Sequence, residues 1–320
     1  MTSKPKAAPP AVIAQGVDPR TSAAAGDTSH ANVSVRARPS NRLMRTWHYL
    51  RRRPPVLASV LAIALMLVLA LLAERVAPHD PVKTSFADLL RPPGVPYLFG
   101  TDQFGRDLLS RLIHGSRTAL LVAFSSAFAG ATCGAVIGVV SAYFGGKTDL
   151  LIQRLLDVIL SFPLIILALA VVAVLGTGTF NVILAITIPT VPRVSRVVRS
   201  SALAIRQMPY IEAARAIGAQ HGRIIFRHLL PNVMAPYLIM LTAVMGQAIL
   251  LEASLSFLGL GVAEPTPAWG LMLRGGSLQF AERAPWLAIF PGLAISAAVF
   301  AFNLLGDSLR DALDPRLRIA

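Results

Sequence analysis

The stretch Glu212–Asn232, EAARAIGAQHGRIIFRHLLPN, separates two strongly apolar parts of the chain. It starts with an acid and carries basic side chains in its second half, which a membrane-spanning helix would not tolerate. The alanine-rich run 211–217 favours a helix, and Gly218 breaks or bends it. A second, amphipathic helix follows over residues 220–230 and ends at Pro231. These residues alone predict two short helices that face either anionic lipid or another protein, with equal weight.

Composition places the stretch in an integral membrane protein. The 320 residues are 54% hydrophobic and only 14% charged, with a mean hydropathy of +0.62. The formal net charge is +14, and in a membrane protein such an excess marks cytoplasmic loops more often than a nucleic-acid partner. The single cysteine, Cys133, excludes an intrachain disulfide and a cysteine metal cluster, and we expect it to be a small buried residue.

Six apolar segments each approach the roughly 20 residues that span a bilayer core. They are Val56–Ala73, Thr118–Ser141, Leu155–Leu175, Asn181–Val198, Ala235–Phe257 and Trp286–Leu305. Pro189 and Pro192 interrupt the fourth segment, but neighbouring helices can satisfy the carbonyls that prolines leave free. The predicted fold class is therefore an all-α polytopic membrane protein with six transmembrane helices.

Arginine placement predicts the orientation of these helices. The residues before the first span are rich in Pro, Ala, Ser and Thr and end in the basic run Arg51–Arg53. They form too long a polar region for a signal peptide, so we expect an uncleaved first helix and a cytoplasmic N-terminus. The predicted organisation is a disordered basic tail at 1–54, a first transmembrane helix at 55–77, a periplasmic loop at 78–117, a five-helix core at 118–306 containing the cytoplasmic segment 199–234, and a cytoplasmic C-terminus at 307–320.

No motif for catalysis or nucleotide binding emerges. The run GGKTD at Gly145–Asp149 lacks a phosphate-binding loop, because the glycine that such a loop requires falls on Ser141. The histidines are scattered, and no paired carboxylates or metal-ligand cluster is apparent. We therefore expect no cofactor, no metal, no nucleic-acid partner and no enzymatic activity, and the chain has no visible energy source of its own.

Two glycine-containing patterns predict packing or surface helices. Gly130, Gly134 and Gly138 recur every four residues, which lets two helix backbones approach closely, although the partner helix cannot be identified from sequence. The stretch Gly100–Gly115 predicts a turn and a short amphipathic helix, with Asp102 as a candidate cap. That helix would lie on the membrane interface or face another protein.

Charged residues at membrane depth are few. Glu252 lies toward the outer end of the fifth segment, where it either lines the pathway or outer mouth or makes a structural hydrogen bond. Arg154 and Asp157 stand three residues apart and are predicted to form a structural ion pair on one helical turn.

The opening stretch resembles the EAA signature of the membrane subunits of ABC-type importers, E-A-A-x-x-x-G, nine residues, then I-x-L-P. The matching positions are Glu212, Ala213, Ala214, Gly218, Leu230 and Pro231, and His228 stands where the signature prefers Ile. The stretches FGTDQFGRDLLSRLIHGSRTAL, DVILSFPLI, LEASLSFLGLG, PTPAWGLML and FNLLGDSLRDALDPRL resemble the C-type subunit of the dipeptide/oligopeptide/nickel permease family. The resemblance covers about Arg42 to Arg318.

This resemblance implies a type I ABC importer permease fold in the bacterial inner membrane. The implied partners are a homologous second permease subunit, two cytoplasmic ATP-binding subunits, a periplasmic or lipid-anchored substrate-binding protein, and membrane lipid. The residues implied to couple to the ATPase are Glu212, Ala213, Ala214, Arg215, Gly218 and Pro231.

The implied cargo is short peptides, moved by alternating access. The alternatives are another cargo of the same family, such as nickel, glutathione or an opine-like compound. A self-sufficient channel or ion-driven carrier is the alternative from another class, and it would need acids or histidines deep in several helices.

Overall fold

The structure is a computed structural model that describes residues 54–313, except for the side chains of residues 277–279. The predicted disordered tail therefore lies outside the described residues, apart from Pro54. All regular secondary structure in the described range is helical, with no strand.

The helices are joined by short connections, apart from the longer loops at 77–107 before α3 and at 258–268 before α10. In chain order they are α1 (Pro54–Leu71), α2 (Ala73–Val76), α3 (Leu108–Phe144), α4 (Gly146–Leu160), α5 (Leu164–Leu175), α6 (Thr179–Arg206), α7 (Pro209–Ala216), α8 (His221–Ile224), α9 (Leu230–Phe257), α10 (Trp269–Gln279) and α11 (Trp286–Leu313). A 3₁₀ turn at Phe86–Asp88 lies in the loop before α3, and a π turn at Ile225–Leu229 joins α8 to α9.

Five of the helical segments in the described range are long and apolar enough to cross a membrane. They are α1, α3, α6, α11 and the continuous segment His221–Phe257. A sixth crossing exists if α4 and α5 are counted together as one broken span. The prediction of an all-α polytopic membrane protein is thereby confirmed.

The third predicted span, Leu155–Leu175, is not one straight helix. The chain breaks between α4 and α5, and the two helices are bent by 84°. Pro163 has no N–H to donate, and a proline disfavours α-helical backbone at the residue before it, Phe162. The prediction was wrong here because the apolar sequence continues through this point, whereas the helix is interrupted there.

Helices α3 and α6 make the most extensive helix–helix contact among the described residues. Gly130, Gly134 and Gly138 all face α6. A Cβ atom on Gly134 would lie 2.6 Å from the carbonyl oxygen of Val191, and one on Gly138 would lie 2.5 Å from that of Ser195. The glycines therefore let the two backbones touch, and the packing partner that the sequence left open is a helix of the same chain.

The predicted short helix within Gly100–Gly115 is instead the beginning of α3. Asp107, rather than Asp102, caps the helix by accepting a hydrogen bond from a backbone N–H of the first turn. Asp102 instead binds Arg106, with 2.6 Å between Oδ2 and Nε. Gly115 does not end the helix, which continues to Phe144, so the prediction of a separate interfacial helix was wrong.

Cys133 is exposed in the chain, contrary to the prediction that it is buried. It lies on α3, three residues before Val136, which is also exposed. Residues three apart share a helix face, so Cys133 belongs to an apolar face of α3 that packs against no other described part of this chain.

Candidate functional site

Residues 207–229, the connecting segment, join α6 to α9 and contain most of the EAA stretch. Pro209 begins α7 at a position where its missing N–H costs nothing. The helix ends in a Schellman turn, in which Ala219 N–H donates to Ala214 O at 3.0 Å and Gly218 N–H donates to Arg215 O at 2.9 Å. Gly218 has a φ of 77°, a left-handed conformation that glycine adopts without strain. The bend therefore lies where the sequence predicts it.

The second helix does not end at Pro231. Its backbone passes from α8 through the π turn directly into α9, and Pro231 lies in the first turn of α9. Leu230 N–H donates to the carbonyl of Ile225, five residues back. The hydrogen-bond pattern changes from that of a π turn to that of an α-helix just before Pro231. The N–H that Pro231 lacks therefore falls where the two patterns meet. The predicted helix end was wrong because proline is tolerated at the start of a helix.

Helix α7 turns its apolar face toward the protein. Ile211 is fully buried and Ala214 is nearly so, and both belong to the side of α7 that meets the ends of the long helices. The exposed side carries Glu212, Ala213 and Arg215. Charged and small side chains, together with the exposed ring of Tyr210, are therefore available to a partner along α7.

Polar contacts fasten the connecting segment to the end of α3. The hydroxyl of Tyr143 and Nδ1 of His221 are hydrogen-bonded at 2.6 Å. The Arg215 guanidinium lies over the Tyr143 ring, 5.7 Å from its centroid. Arg206 donates to the carbonyl of Ala142 at 2.8 Å. These contacts hold both α7 and α8 against one spanning helix.

A cleft of about 810 Å³, the docking cleft, opens between α7 and α8. Of the residues implied to couple, Ala213, Ala214 and Gly218 line it. Its other lining residues are Tyr210, Ile217, Ala219, Gln220, Arg223, Arg227 and His228. Ile217, a large apolar side chain, is 86% exposed beside it.

The remaining implied coupling residues lie close by or outside. Glu212 and Arg215 line a neighbouring recess of about 320 Å³ on the other side of α7. Pro231 is exposed and lines neither the docking cleft nor this recess. The structure thus groups five of the six residues on the two sides of one short helix.

Two ion pairs between α4 and α6 were not predicted. Asp149 accepts two hydrogen bonds from the Arg199 guanidinium, at 2.7 and 2.5 Å, and a third from a serine hydroxyl of α3. Asp157 pairs with Arg196 of α6. The predicted pair of Asp157 with Arg154 is therefore wrong, because the arginines of α6 reach the acids of α4 across the helix contact.

Glu252 lies far from the connecting segment. Its side chain is 1% exposed and accepts a hydrogen bond from the Ser256 hydroxyl at 2.7 Å. Helix α9 has 28 residues and is about 42 Å long, which separates the two regions by a membrane thickness. The carboxylate is enclosed by protein, as we expect if Glu252 makes a structural hydrogen bond.

Comparison with known families matches two parts of this chain. Residues 134–319 match the family described as binding-protein-dependent transport system inner membrane component. Residues 41–93 match the N-terminal TM domain of oligopeptide transport permease C. The first match alone covers more than half of the chain.

Several curated proteins are similar over most of their length. A dipeptide transport system permease protein of Alkalihalophilus pseudofirmus is 40% identical over 269 residues, which cover 84% of this chain and 88% of that protein. A putative peptide transport system permease protein of Brucella suis is 43% identical, covering 84% and 90%. A glutathione transport system permease protein of Escherichia coli is 42% identical, covering 85% and 90%.

Among solved structures, a chain of the MetNI methionine ABC transporter in an inward-facing conformation is similar in fold. The TM-score is 0.53 at 21% sequence identity, and the match covers 65% of this chain and 98% of that chain. At this identity the likeness concerns the arrangement of helices.

Proposed function

We propose, from the premise that this chain belongs to the family of binding-protein-dependent transport system inner membrane components, that it forms half of the pathway of an ATP-driven importer of short peptides. In this proposal the connecting segment docks onto a cytoplasmic ATP-binding subunit. The chain itself is a multi-pass inner-membrane permease subunit, so ATP is hydrolysed by a partner.

The buried apolar face of α7 carries the docking proposal. An amphipathic helix that lies on a membrane turns its large apolar side chains toward lipid. Here the apolar face, with Ile211, is used inside the protein, and the outward side carries charged and small side chains beside the amphipathic ring of Tyr210. The docking cleft is concave, with the exposed Ile217 beside it, which suits a partner protein better than a flat lipid surface.

The same geometry supports a route for movement. Helix α7 follows α6 after a short turn at Met208, and the segment after Gly218 runs without a break into α9. A partner that displaces the connecting segment therefore pulls on two spanning helices as rigid bodies. The Tyr143–His221 hydrogen bond adds α3 to the same unit. Rigid-body motion of packed helices is a known basis of alternating access.

The partners follow from family membership. A substrate-binding protein delivers the peptide, and a homologous second permease subunit completes the pathway beside two ATP-binding subunits. Large side chains such as Leu293 and Phe300 of α11 are exposed in the single chain, so lipid or that second subunit covers them. Glutathione is a second candidate cargo, because a glutathione permease protein is as similar as the peptide permeases and glutathione is itself a modified tripeptide.

The docking role is tested by transport in proteoliposomes that contain the whole complex and its binding protein. Gly218→Trp fills the docking cleft, and Glu212→Lys reverses a charge on the exposed side of α7. We expect each to lower peptide uptake at least about tenfold, the effect of losing ~1.4 kcal/mol of docking free energy.

Two matched controls separate docking from general damage. Gly146→Trp places the same side chain at another glycine with positive φ and open surroundings, outside both recesses. Glu282→Lys reverses an exposed charge far along the chain. Uptake at the wild-type rate in both test variants, or an equal loss in the controls, would contradict the docking role.

A further inference from the structure

A second cleft, the outer cleft, opens at the end of α9 that lies farthest from the connecting segment. Its volume is about 800 Å³, within the range of roughly 300–1,000 Å³ that is typical of small-molecule sites. Its lining residues are Gln103, Phe104, Thr177, Gly259, Val262, Ala263, Glu264, Leu271, Arg274, Gly275 and Phe280. They combine one cation, one carboxylate and one amide with several apolar side chains.

Arg274 is a cation without a partner among the described residues. It is exposed and makes neither an ion pair nor a hydrogen bond with another described side chain. Its guanidinium lies against Gly259, which has a φ of 83°, and a Cβ atom at that position would overlap the Nη1 atom. The backbone thus leaves room for the guanidinium at the cleft while its donors stay free.

Gln103 brings a second free hydrogen-bonding group to the same place. Its amide lies over Gly275, the residue after Arg274, and a Cβ atom on Gly275 would be 2.8 Å from Nε2. The half-buried amide makes no hydrogen bond to another described residue. An arginine from α10 and an amide from the loop before α3 therefore converge on one part of the cleft, a donor arrangement that suits a carboxylate.

Glu264 supplies the opposite charge. Its side chain is 47% exposed and lies 3.5 Å from Arg106, whose closer partner is Asp102 at 2.6 Å. Glu264 is therefore only loosely held. Although Glu264 and Arg274 line the same cleft, the structure pairs Glu264 with Arg106 and not with Arg274. Glu264 and Arg274 therefore do not neutralise each other, and both are exposed to a ligand that carries both signs.

We propose that the outer cleft is a receiving subsite for a zwitterionic short peptide. Arg274 and Gln103 bind the terminal carboxylate, Glu264 binds the terminal ammonium, and apolar residues such as Leu271 and Phe280 contact the side chains of the peptide. An extended chain advances about 3.3–3.6 Å per residue, so a few residues fit a cleft of this size. This inference rests on the proposed function, because it names where an imported peptide first contacts the permease.

The test measures binding of radiolabelled trialanine to the purified complex without its binding protein. Arg274→Gln is expected to weaken binding of trialanine at least about tenfold, the result of losing one charge-assisted contact. The same variant should bind trialanine amide about as wild type does, because that peptide has no carboxylate. Glu264→Gln should show the complementary pattern, weakening trialanine but not N-acetyl-trialanine.

Controls come from the loop that follows α10. Arg283→Gln and Glu282→Gln remove exposed charges that do not line the outer cleft, and both should bind trialanine as wild type does. Arg274→Lys keeps the charge and should recover part of the affinity. Basal ATP hydrolysis by each variant complex reports that it is folded and assembled.

Equal affinities for Arg274→Gln and Arg283→Gln would overturn the inference. So would the absence of saturable trialanine binding by a wild-type complex that imports peptides when its binding protein is added. A complex that imports no peptide at all would instead refute the proposed cargo, whatever the affinity of the outer cleft. The two failures are therefore distinguishable.

Discussion

Replacing Gly138 with alanine would push a methyl group into the backbone of α6. The added Cβ would lie 2.5 Å from the carbonyl oxygen of Ser195 and 3.0 Å from the backbone nitrogen of Arg199. Neither is the end of a flexible side chain, so relief requires the two helices to separate. Ordinary contact at 3.4 Å demands a shift of about 0.9 Å at that point.

The expected cost follows from overpacking in a close helix contact. Forcing one extra methyl group into a packed interior destabilises by about 1–3 kcal/mol. Gly134→Ala should cost a similar amount, because its Cβ would meet the Val191 carbonyl at 2.6 Å. Gly130→Ala should also be costly, since its Cβ would lie 2.7 Å from the Thr190 methyl group and 2.8 Å from the Thr190 Cβ atom, which no side-chain rotation can move.

The measurement is unfolding of the purified subunit by SDS titration in mixed micelles, followed by far-UV circular dichroism. Gly292→Ala is the matched control, because Gly292 lies inside α11 and no atom lies within 4 Å of an added Cβ. It should be neutral or stabilising by up to about 1 kcal/mol, as is usual for glycine to alanine in a helix. If Gly138→Ala unfolds at the same SDS fraction as Gly292→Ala, the close α3–α6 contact is wrong.

Two further changes test other contacts. Asp102→Ala leaves the buried Arg106 without its closest carboxylate and should cost ~3–5 kcal/mol in the same titration, whereas Glu74→Ala, in an exposed pair, should shift the midpoint far less. Equal shifts would contradict the burial of the Asp102 pair. Tyr143→Phe removes the hydrogen bond to His221, so we expect ~0.5–1.5 kcal/mol of destabilisation and fewer peptides imported per ATP hydrolysed. An unchanged number of peptides imported per ATP hydrolysed would show that this contact does not transmit movement.

Hydropathy predicts the spanning segments well because burial in lipid depends on composition over about 20 residues. Four of the six predicted segments fall within long helices, and a fifth, Val56–Ala73, extends two residues beyond the end of α1. Two of the failures concern prolines. Pro163 breaks the third segment and Pro231 does not end its helix, although both follow apolar residues. The effect of a proline depends on the hydrogen bonds around it, which sequence pattern does not report.

Polar partners were harder to predict than helices. Spacing along one helix suggested Arg154 for Asp157, but the arginine that binds Asp157 is Arg196, which reaches it from α6. Likewise Asp107, not Asp102, caps α3, since both acids precede the same helix and only the three-dimensional turn distinguishes them. The outer cleft had no signal in the sequence, because its charged residues come from different elements, Glu264 from the loop before α10 and Arg274 from α10 itself.

The EAA stretch was more informative than the general pattern. Amphipathicity alone left lipid and protein as equal partners for residues 211–230. The structure adds that Ile211 is buried and that the outward side of α7 carries charged and small side chains with the ring of Tyr210. The feature that favours a protein partner is therefore the orientation of α7. The periodicity of the sequence shows that α7 has an apolar face but not which way that face points.

The most direct test of docking replaces Ile217 with the photo-crosslinking residue p-benzoylphenylalanine in the assembled, purified complex. Ile217 is exposed beside the docking cleft, so irradiation should attach this chain to the ATP-binding subunit, identified by mass spectrometry. The same residue at Phe86, which is also exposed but lies in the loop before α3, should not. Crosslinks from position 217 to lipid alone, in a complex that still imports peptide, would contradict the proposed coupling.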